Sequence, residues 1–431
     1  MPQNDHSIRR ILHDFEQVQS VDAYAEQLRP APPDEIAALP TQDVPGGAAP
    51  EQVAARRQLL WDSGHTLDYL SGTQAPPTAE DLRGNIENYI GMAQLPVGIA
   101  GPLHVRGTQA HGDYYVPLAT TEGALVASYN RGMKACRMSG GISSACLVEG
   151  VQRSPFFKFR DLGEVGIFIK WVHDYQAVLE QIIGETSRFA QLAELRTSVE
   201  GNSVILTFEY RTGDAAGQNM VTICTDRICK YLLANTPVQP TEWYIESNYA
   251  GDKKATALSF SNVRGKKVTA ECRLPSAIVA DILKTTPTRM AHYWQSSTLA
   301  VIQSGAIGAQ GHVANGLTAL YIACGQDVAC IAESSVGITR MQATPEGDLY
   351  AAVTLPSLTV GTVGGGTGLP TQRECLALLD CAGAGKARKF AEICGAVALA
   401  GELSIAAAMS VDHFTNAHQS LGRSSKPTLV K

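Results

Sequence analysis

The chain has 431 residues, enough for two or three domains at the usual ~100–200 residues each. Hydrophobic residues make up 45% of it, an ordinary share for a globular protein with a sizeable core. The formal charge is −6, with no basic tail or stripe, which argues against a nucleic-acid partner, because phosphate binding needs clustered Lys and Arg.

The chain opens on MPQNDHSIRRILHDFEQ, which is too polar for a signal peptide. Residues 29–50 are rich in Pro, Ala and Gly and read as linker. Residues 51–72 read as a helix, and the Gly and Pro spacing of GNIENYIGMAQLPVGIAGPLHV implies strands and turns. The segment 120–136 reads as a second helix, capped by Thr120 or Thr121. Glu122 then falls in its first turn and Arg131 and Lys134 near its end, where each charge suits the helix dipole.

Residues 155–245 change character. EVGIFIKWV reads as a strand, YQAVLEQIIGETSRFAQLAEL as a helix, and RTSVEGNSVILTFEYRTG as a hairpin turning at EGN. GQNMVTICTDRICKYLLAN reads as another helix and TEWYIES as a closing strand. The order β-α-β-β-α-β is that of a ferredoxin-like unit inserted in a larger domain. After residue 275 the pattern turns helical and rich in Ala and Gly, interrupted by the loop GTVGGGTG (361–368).

The ten cysteines all lie at or after Cys136 and form no CxxC pair. They read as reduced, buried thiols rather than disulfides or a zinc site, and so point to the cytoplasm. The apolar run from Ile393 to Val411 contains Glu402 and reads as a buried helix rather than a membrane span.

Four charged positions could carry chemistry. Lys253, in DKK, is either part of a solvated turn or an electrophilic lysine that stabilises an oxyanion. Glu122 is either a first-turn acid favoured by the dipole or a proton donor, and the second role requires burial. Asp327 follows a helix ended by Gly325, where the dipole disfavours a carboxylate, so it needs a cationic partner; Lys253 is the natural one. His413 and His418 are five apart, the wrong spacing for a metal pair on one helix face. His418 is either a surface residue or the acid for a leaving thiolate. GTVGGGTG lacks the Lys-Ser/Thr of a Walker motif and the Rossmann context. Tight backbone packing is its simpler reading.

Taken in order, ENYIGMAQLPVGIAGPL (87–103), ATTEGALVASYNRG (119–132), TSRFAQL (186–192), GDAAGQNM (213–220), NYAGDKK (248–254), ANGLTALYIACGQD (314–327), GTVGGGTG and NAHQSLGRS (416–424) resemble the hydroxymethylglutaryl-CoA reductases over about residues 81–424. The likeness is to the soluble catalytic portion of NADPH-using, class I-like members. It implies an α+β fold: a large, mainly helical CoA-binding domain with an inserted ferredoxin-like nicotinamide-binding domain. Residues 1–80 would be an N-terminal linker and helical segment, 81–154 and 246–431 the two parts of the large domain, and 155–245 the insert.

The implied reaction is a four-electron reduction of an acyl-CoA thioester to a primary alcohol, giving mevalonate, with NADPH and no metal. Lys253 would polarise the carbonyl, Glu122 supply a proton, Asp327 tune both, and His418 protonate the CoA thiolate. Arg153, Asn248, Asp252, Lys254, His312 and Asn315 fall on the substrate side by the same resemblance, and Asn130, Arg131 and Lys284 on CoA. The cofactor residues would be Ser187, Arg188 and Phe189, the loop residues Asp214, Ala216, Gly217, Gln218 and Asn219, and Arg423. A hydroxyl and a guanidinium fork at Ser187 and Arg188 suit a 2′-phosphate. Ser424 follows Arg423, at the place where some family members are phosphorylated.

Two positions depart from the family. Glu246 stands where a substrate-binding Ser is expected, and Ser297 where a Lys is expected. Losing a cation and gaining an acid beside one carboxylate weakens binding unless something replaces them. The main reading is therefore a reductase of hydroxymethylglutaryl-CoA. The alternatives are a homologue acting on another acyl-CoA thioester, and a noncatalytic CoA-binding protein. The resemblance further implies a homodimer or dimer of dimers, with sites between subunits, the ENYIG segment at the interface and no membrane attachment.

Overall fold

The protein is described by a computed structural model that covers residues 19–40 and 43–411 together with Ile11, Leu12 and Glu16. Among the fully described elements, three helices come first: α1 (Val21–Leu28), α2 (Pro33–Ala38) and α3 (Pro50–Asp62). Proline opens α2 and α3, where its missing N–H costs no intrahelical bond. α3 is shorter than the 51–72 expected, because Gly64 turns left-handed at φ +84° just past its end.

Strand β1 (Val97–Gly107) pairs antiparallel with β2 (His111–Ala119). Helix α4 spans Leu125–Arg137, so the expected start at residue 120 is corrected. Ala124 at its cap is left-handed (φ +70°), so the helix starts only after Glu122. β3 (Ile142–Arg153) runs parallel to β1.

The next segment is β4 (Phe156–Lys158), α5 (Leu162–Asp174), α6 (Gln176–Thr186), β5 (Gln191–Glu200), β6 (Ser203–Arg211), α7 (Gln218–Asn235) and β7 (Glu242–Tyr244). EVGIFIKWV is thus helical and not a strand. Asp161 caps α5 by accepting the Glu164 N–H, and Val165, Phe168 and Val172 bury one stripe, which is a helical spacing. The strand expected there is β4 instead. The long helix expected over 175–195 stops at Thr186, and its tail becomes β5. β5 and β6 form the hairpin read at EGN, with Gly201 at φ +53° in the turn. The sheet order β7–β4–β6–β5 is antiparallel throughout. The β-α-β-β-α-β order holds only with its first strand moved to β4 and with α5 added where a strand was expected.

β8 (Gly265–Leu274) returns antiparallel to β3. Helices α8 (Pro287–Ser304) and α9 (Val313–Ala323) precede β9 (Ile338–Ala343) and β10 (Leu349–Leu358), and α10 (Pro370–Leu378) and α11 (Ala387–Ser410) follow. The purely helical pattern expected after 275 fails at β9 and β10, whose residues alternate in burial as a half-buried sheet requires. Within the helical stretch read after 275, α10 and α11 are parted at Gly383 and Gly385, both at positive φ.

β3 joins two cores. Its first half pairs with β8, and its last three residues, Val151–Arg153, pair with β6. One apolar cluster surrounds α11, with α4, α9, β8 and β10 packed about it. The other lies between β4, β6 and helices α5–α7. α11 is long and apolar enough to cross a membrane, but most of its surface is buried in the protein. Each Leu, Ile or Val buried there contributes about 1.5–3 kcal/mol.

Candidate active site

Residues 246–254 form a loop between β7 and the short turn Ala257–Phe260. Asn248, Gly251 and Lys253 all take positive φ. That curls the loop so that the Lys253 N–H donates to Glu333 Oε2 at 2.7 Å, while Lys253 Nζ lies 3.0 Å from Asp327 Oδ2. Asp327 is held from its own side: α9 ends, Gly325 turns at φ +67°, and Asp327 Oδ1 accepts the Ala329 N–H at 3.0 Å. Asp327 raises the Lys253 pKa against the opposing effect of burial. Burial pushes the Asp327 carboxyl up, but the Lys253 ammonium and the Ala329 N–H outweigh it and hold the carboxyl below its usual range. The result is a charged ammonium fixed at the end of a helix, able to bind a developing oxyanion.

A second layer of charge lies beneath the loop. Arg264 donates to Glu333, Asp252, Gln218 and the Gln152 carbonyl. Arg153 donates to Glu246 Oε2 and Asp252 Oδ2, both at 3.2 Å, and reaches Gln218. Glu246 is thus neutralised by Arg153, and Arg153 and Asp252, both read as substrate ligands, are engaged inside the protein. Lys254 and Asn248 remain at the surface, bonded to each other at 3.1 Å. Ser297 lies half-buried in α8. Glu333 and Arg264 escaped the sequence reading, since CIAESS and NVRGKK carry no motif.

Glu122 sits elsewhere. It is exposed in the loop before α4, its N–H donates to Thr120 Oγ1, and its Oε2 accepts from Asn315 Nδ2 at 2.9 Å. The burial that an acid role requires is therefore missing within one chain. Asn315 lies in the first turn of α9 and Asp327 beyond its last. At ~1.5 Å per residue the helix holds Glu122 more than about 10 Å from the lysine pair. Among the described residues no hydrogen bond or ion pair joins the two. A cavity of about 400 Å³ opens beside Glu122, lined by Thr120, Thr121, Asn315, Thr318 and Ile322.

His312 is buried next to this cluster. Its ring stacks on Tyr129 at 4.8 Å, and Tyr129 donates to the His312 carbonyl at 2.7 Å. Burial lowers the His312 pKa, with Glu122 opposing. Glu402, visible in the sequence as the one acid in an apolar run, accepts the N–H groups of Gly311, His312 and Val313 at 2.6–3.1 Å. It is a buried anion at the start of α9, where the helix dipole favours it.

The CoA candidates divide. Asn130 accepts the Gly101 N–H at 2.9 Å and lines a cavity of about 630 Å³ with Arg56, Arg57 and Val126. Arg131 is bound to Ser404 through Nε and Nη2, so it joins α4 to α11. Lys284 is exposed, at φ +59°, past a π-helical turn (Val279–Leu283) and 3.7 Å from Asp281.

Among the cofactor candidates, Arg188 and Phe189 are exposed, with the guanidinium 5.7 Å from the Phe189 ring centre. Ser187 Oγ accepts the Phe189 and Ala190 N–H groups. Asp214 instead caps α11 by accepting the Gly385 and Ala387 N–H groups. Gly217 starts α7 at φ +83°, Asn219 is exposed in its first turn, and Ala216 packs against Gly361. A Cβ on Gly361 would meet Ala216 N at 2.6 Å, and one on Gly325 would meet the Gly366 carbonyl at 2.3 Å. GTVGGGTG is therefore a close-packed spacer between the Asp327 turn and the 213–219 loop. His418, Arg423 and Ser424 lie outside the described residues.

A family model described as hydroxymethylglutaryl-coenzyme A reductase matches residues 52–423. The chain is 42% identical over 375 residues to the 3-hydroxy-3-methylglutaryl-coenzyme A reductase of Pyrococcus abyssi, which covers 85% of this chain and 91% of that relative. It is 44% identical over 353 residues to the enzyme of the same name from Aeropyrum pernix, covering 80% and 83%. The class II reductase of Streptococcus pneumoniae, solved bound to NADPH in open conformations, shares the fold. Its TM-score is 0.66 at 19% identity, over 84% of this chain and 87% of that one.

Proposed function

The chain belongs to the hydroxymethylglutaryl-coenzyme A reductase family, and from that premise we propose how it reduces 3-hydroxy-3-methylglutaryl-CoA to mevalonate and CoA with NADPH. The shared name of its relatives favours this substrate over another acyl thioester and over a noncatalytic role.

The observation that carries the mechanism is the Lys253–Asp327 pair at 3.0 Å. Lys253 donates to the thioester carbonyl and stabilises the oxyanion of the hemithioacetal, then does the same for the aldehyde. Asp327 keeps the ammonium charged and aimed. Glu122 supplies a proton at the aldehyde stage. Because Glu122 and Lys253 sit at opposite ends of α9, the working site combines Glu122, His312 and Asn315 of one subunit with the lysine loop of another. His418 protonates the departing thiolate.

The nicotinamide, when bound, supplies one hydride to each of the two reductions. The residues fit that cofactor: Arg188 presents an exposed guanidinium beside Ser187 for the 2′-phosphate, and Gly217 turns the chain into α7 with Gln218 and Asn219 following. Asp214 shapes this loop from behind. Residues 155–245 form the nicotinamide-binding unit, and the TSRF segment supports a class I-like enzyme. Lys254 and Asn248 take the substrate's free carboxylate in place of the internally paired Arg153. Ten buried, unpaired thiols support a cytoplasmic setting.

Lys253→Ala should abolish NADPH consumption with the acyl-CoA and with mevaldehyde alike. Residual mevaldehyde reduction at the wild-type rate would remove Lys253 from this role.

A further inference from the structure

Lys253 is a non-glycine residue at φ +56°, a left-handed conformation that an L-residue holds only against a steric cost. A local turn, closed by the Lys254 N–H on the Gly251 carbonyl at 3.1 Å, brackets it. A second constraint comes from 80 residues away, where the Glu333 carboxylate, 1% exposed, accepts the Lys253 N–H at 2.7 Å. Glu333 is itself fixed by Arg264 Nε at 3.0 Å and by Thr359 Oγ1 at 3.1 Å. Arg264, also buried, reaches from Glu333 to Asp252, to Gln218 Oε1 at 2.7 Å and to the Gln152 carbonyl at 3.1 Å. One guanidinium therefore ties the lysine loop, the start of α7, β3 and the turn carrying Glu333. A buried ion pair is weak evidence for stability but a good device for holding one geometry.

We propose that Glu333 and Arg264 are positioning residues: Glu333 holds the Lys253 backbone left-handed so that Nζ stays on Asp327, and Arg264 locks that arrangement to the 213–219 loop. The proposal rests on Lys253 being the catalytic lysine. Without the Glu333 carboxylate, the Lys253 peptide loses its acceptor, the loop relaxes, and Nζ leaves Asp327. The charged or titratable groups around the pair are Asp327, Cys330, Asp252, Arg264 and Tyr321. Of these, Asp327 is the chief one that raises the Lys253 pKa, so its loss has a signature of its own: the basic limb of the pH–rate profile moves to lower pH.

The test is steady-state kinetics of the full chain with Glu333→Ala, Glu333→Gln and Arg264→Lys, each with a thermal unfolding trace. Glu333→Ala should lower kcat for thioester and mevaldehyde about a hundredfold, the scale of a 1 Å misplacement, with KM for NADPH within about twofold. Glu333→Gln keeps a neutral acceptor and should lose clearly less. All three should shift the basic limb downward. A basic limb unchanged in cooperatively folded Glu333→Gln and Arg264→Lys would overturn the proposal, even if Glu333→Ala fails to fold. If Lys253→Ala is inactive while these variants keep the wild-type limb and kcat, only this inference fails. If Lys253→Ala stays active, the catalytic assignment beneath it fails.

Discussion

Glu402 puts a carboxylate in the middle of an apolar helix with 3% of its surface exposed. Burial pushes its pKa up to about 6, against the three N–H groups that favour the charged form. The folded chain thus holds this proton more tightly than the unfolded chain does. The stability it contributes is complete below the ordinary Glu range and is lost as pH rises through about 6. The rise from the ordinary Glu range to about 6 corresponds to roughly 2 kcal/mol. Urea titrations of wild type and Glu402→Gln at about pH 4.5 and 6.5 should therefore show the wild-type advantage shrinking by roughly that amount. A constant difference would mean that burial does not control Glu402. The Lys253–Asp327 pair behaves differently, because its side chains are 46% and 44% exposed. Solvent screening leaves such a pair ~1 kcal/mol or less. Asp327→Asn should cost little stability in urea and most of the activity, since Asn can still accept the Ala329 N–H but cannot hold an ammonium by charge. Lys253 and Asp327 were legible in the sequence as charges beside glycine turns. Glu333 and Arg264 were not, because nothing within a few residues marks either as a partner of Lys253.

The close approach of α4 and α11 depends on missing side chains. A Cβ on Gly132 would lie 1.9 Å from the Ala400 carbonyl, and one on Gly401 2.4 Å from the Tyr129 ring. Tyr129 fills that slot and carries His312 on its face. Gly132→Val should push the two helices apart and cost about 1–3 kcal/mol or more, read as a lower denaturation midpoint. The slope m should stay unchanged if the native and unfolded states keep their surface. Element types were readable where pattern and length agreed, as in α7 and the β5–β6 hairpin. EVGIFIKWV misled because a continuous apolar run fits a buried strand and a buried helix equally; the Asp161 cap decided it. β9 and β10 were missed because their alternation involves Ala, Thr and Gln as much as large apolar residues.

At the scale of the whole molecule, the segment before β1 stands out. Ile86, Ile90, Met92, Leu95 and Val97 are all exposed, Ile90 completely, and residues 85–96 join no sheet. Such a contiguous apolar stretch is the surface that the proposed site between subunits would cover. Ile90→Glu should shift the enzyme to monomers in size-exclusion chromatography, and those fractions should lack reductase activity. Active monomers would show that Glu122 reaches Lys253 within a single chain.

The sequence by itself determined the family, the hairpin and following helix of the middle segment, and the glycine turns beside Lys253 and Asp327. These follow from residue type and order along the chain. Only the tertiary structure decided that Lys253 is left-handed on Glu333, that Arg153 is taken up by Glu246 and Asp252, and that Glu122 faces Asn315 rather than the lysine. Each of these depends on contacts between residues 80 to 193 positions apart, which local propensity cannot encode and only the packing of β3, α9 and α11 brings about.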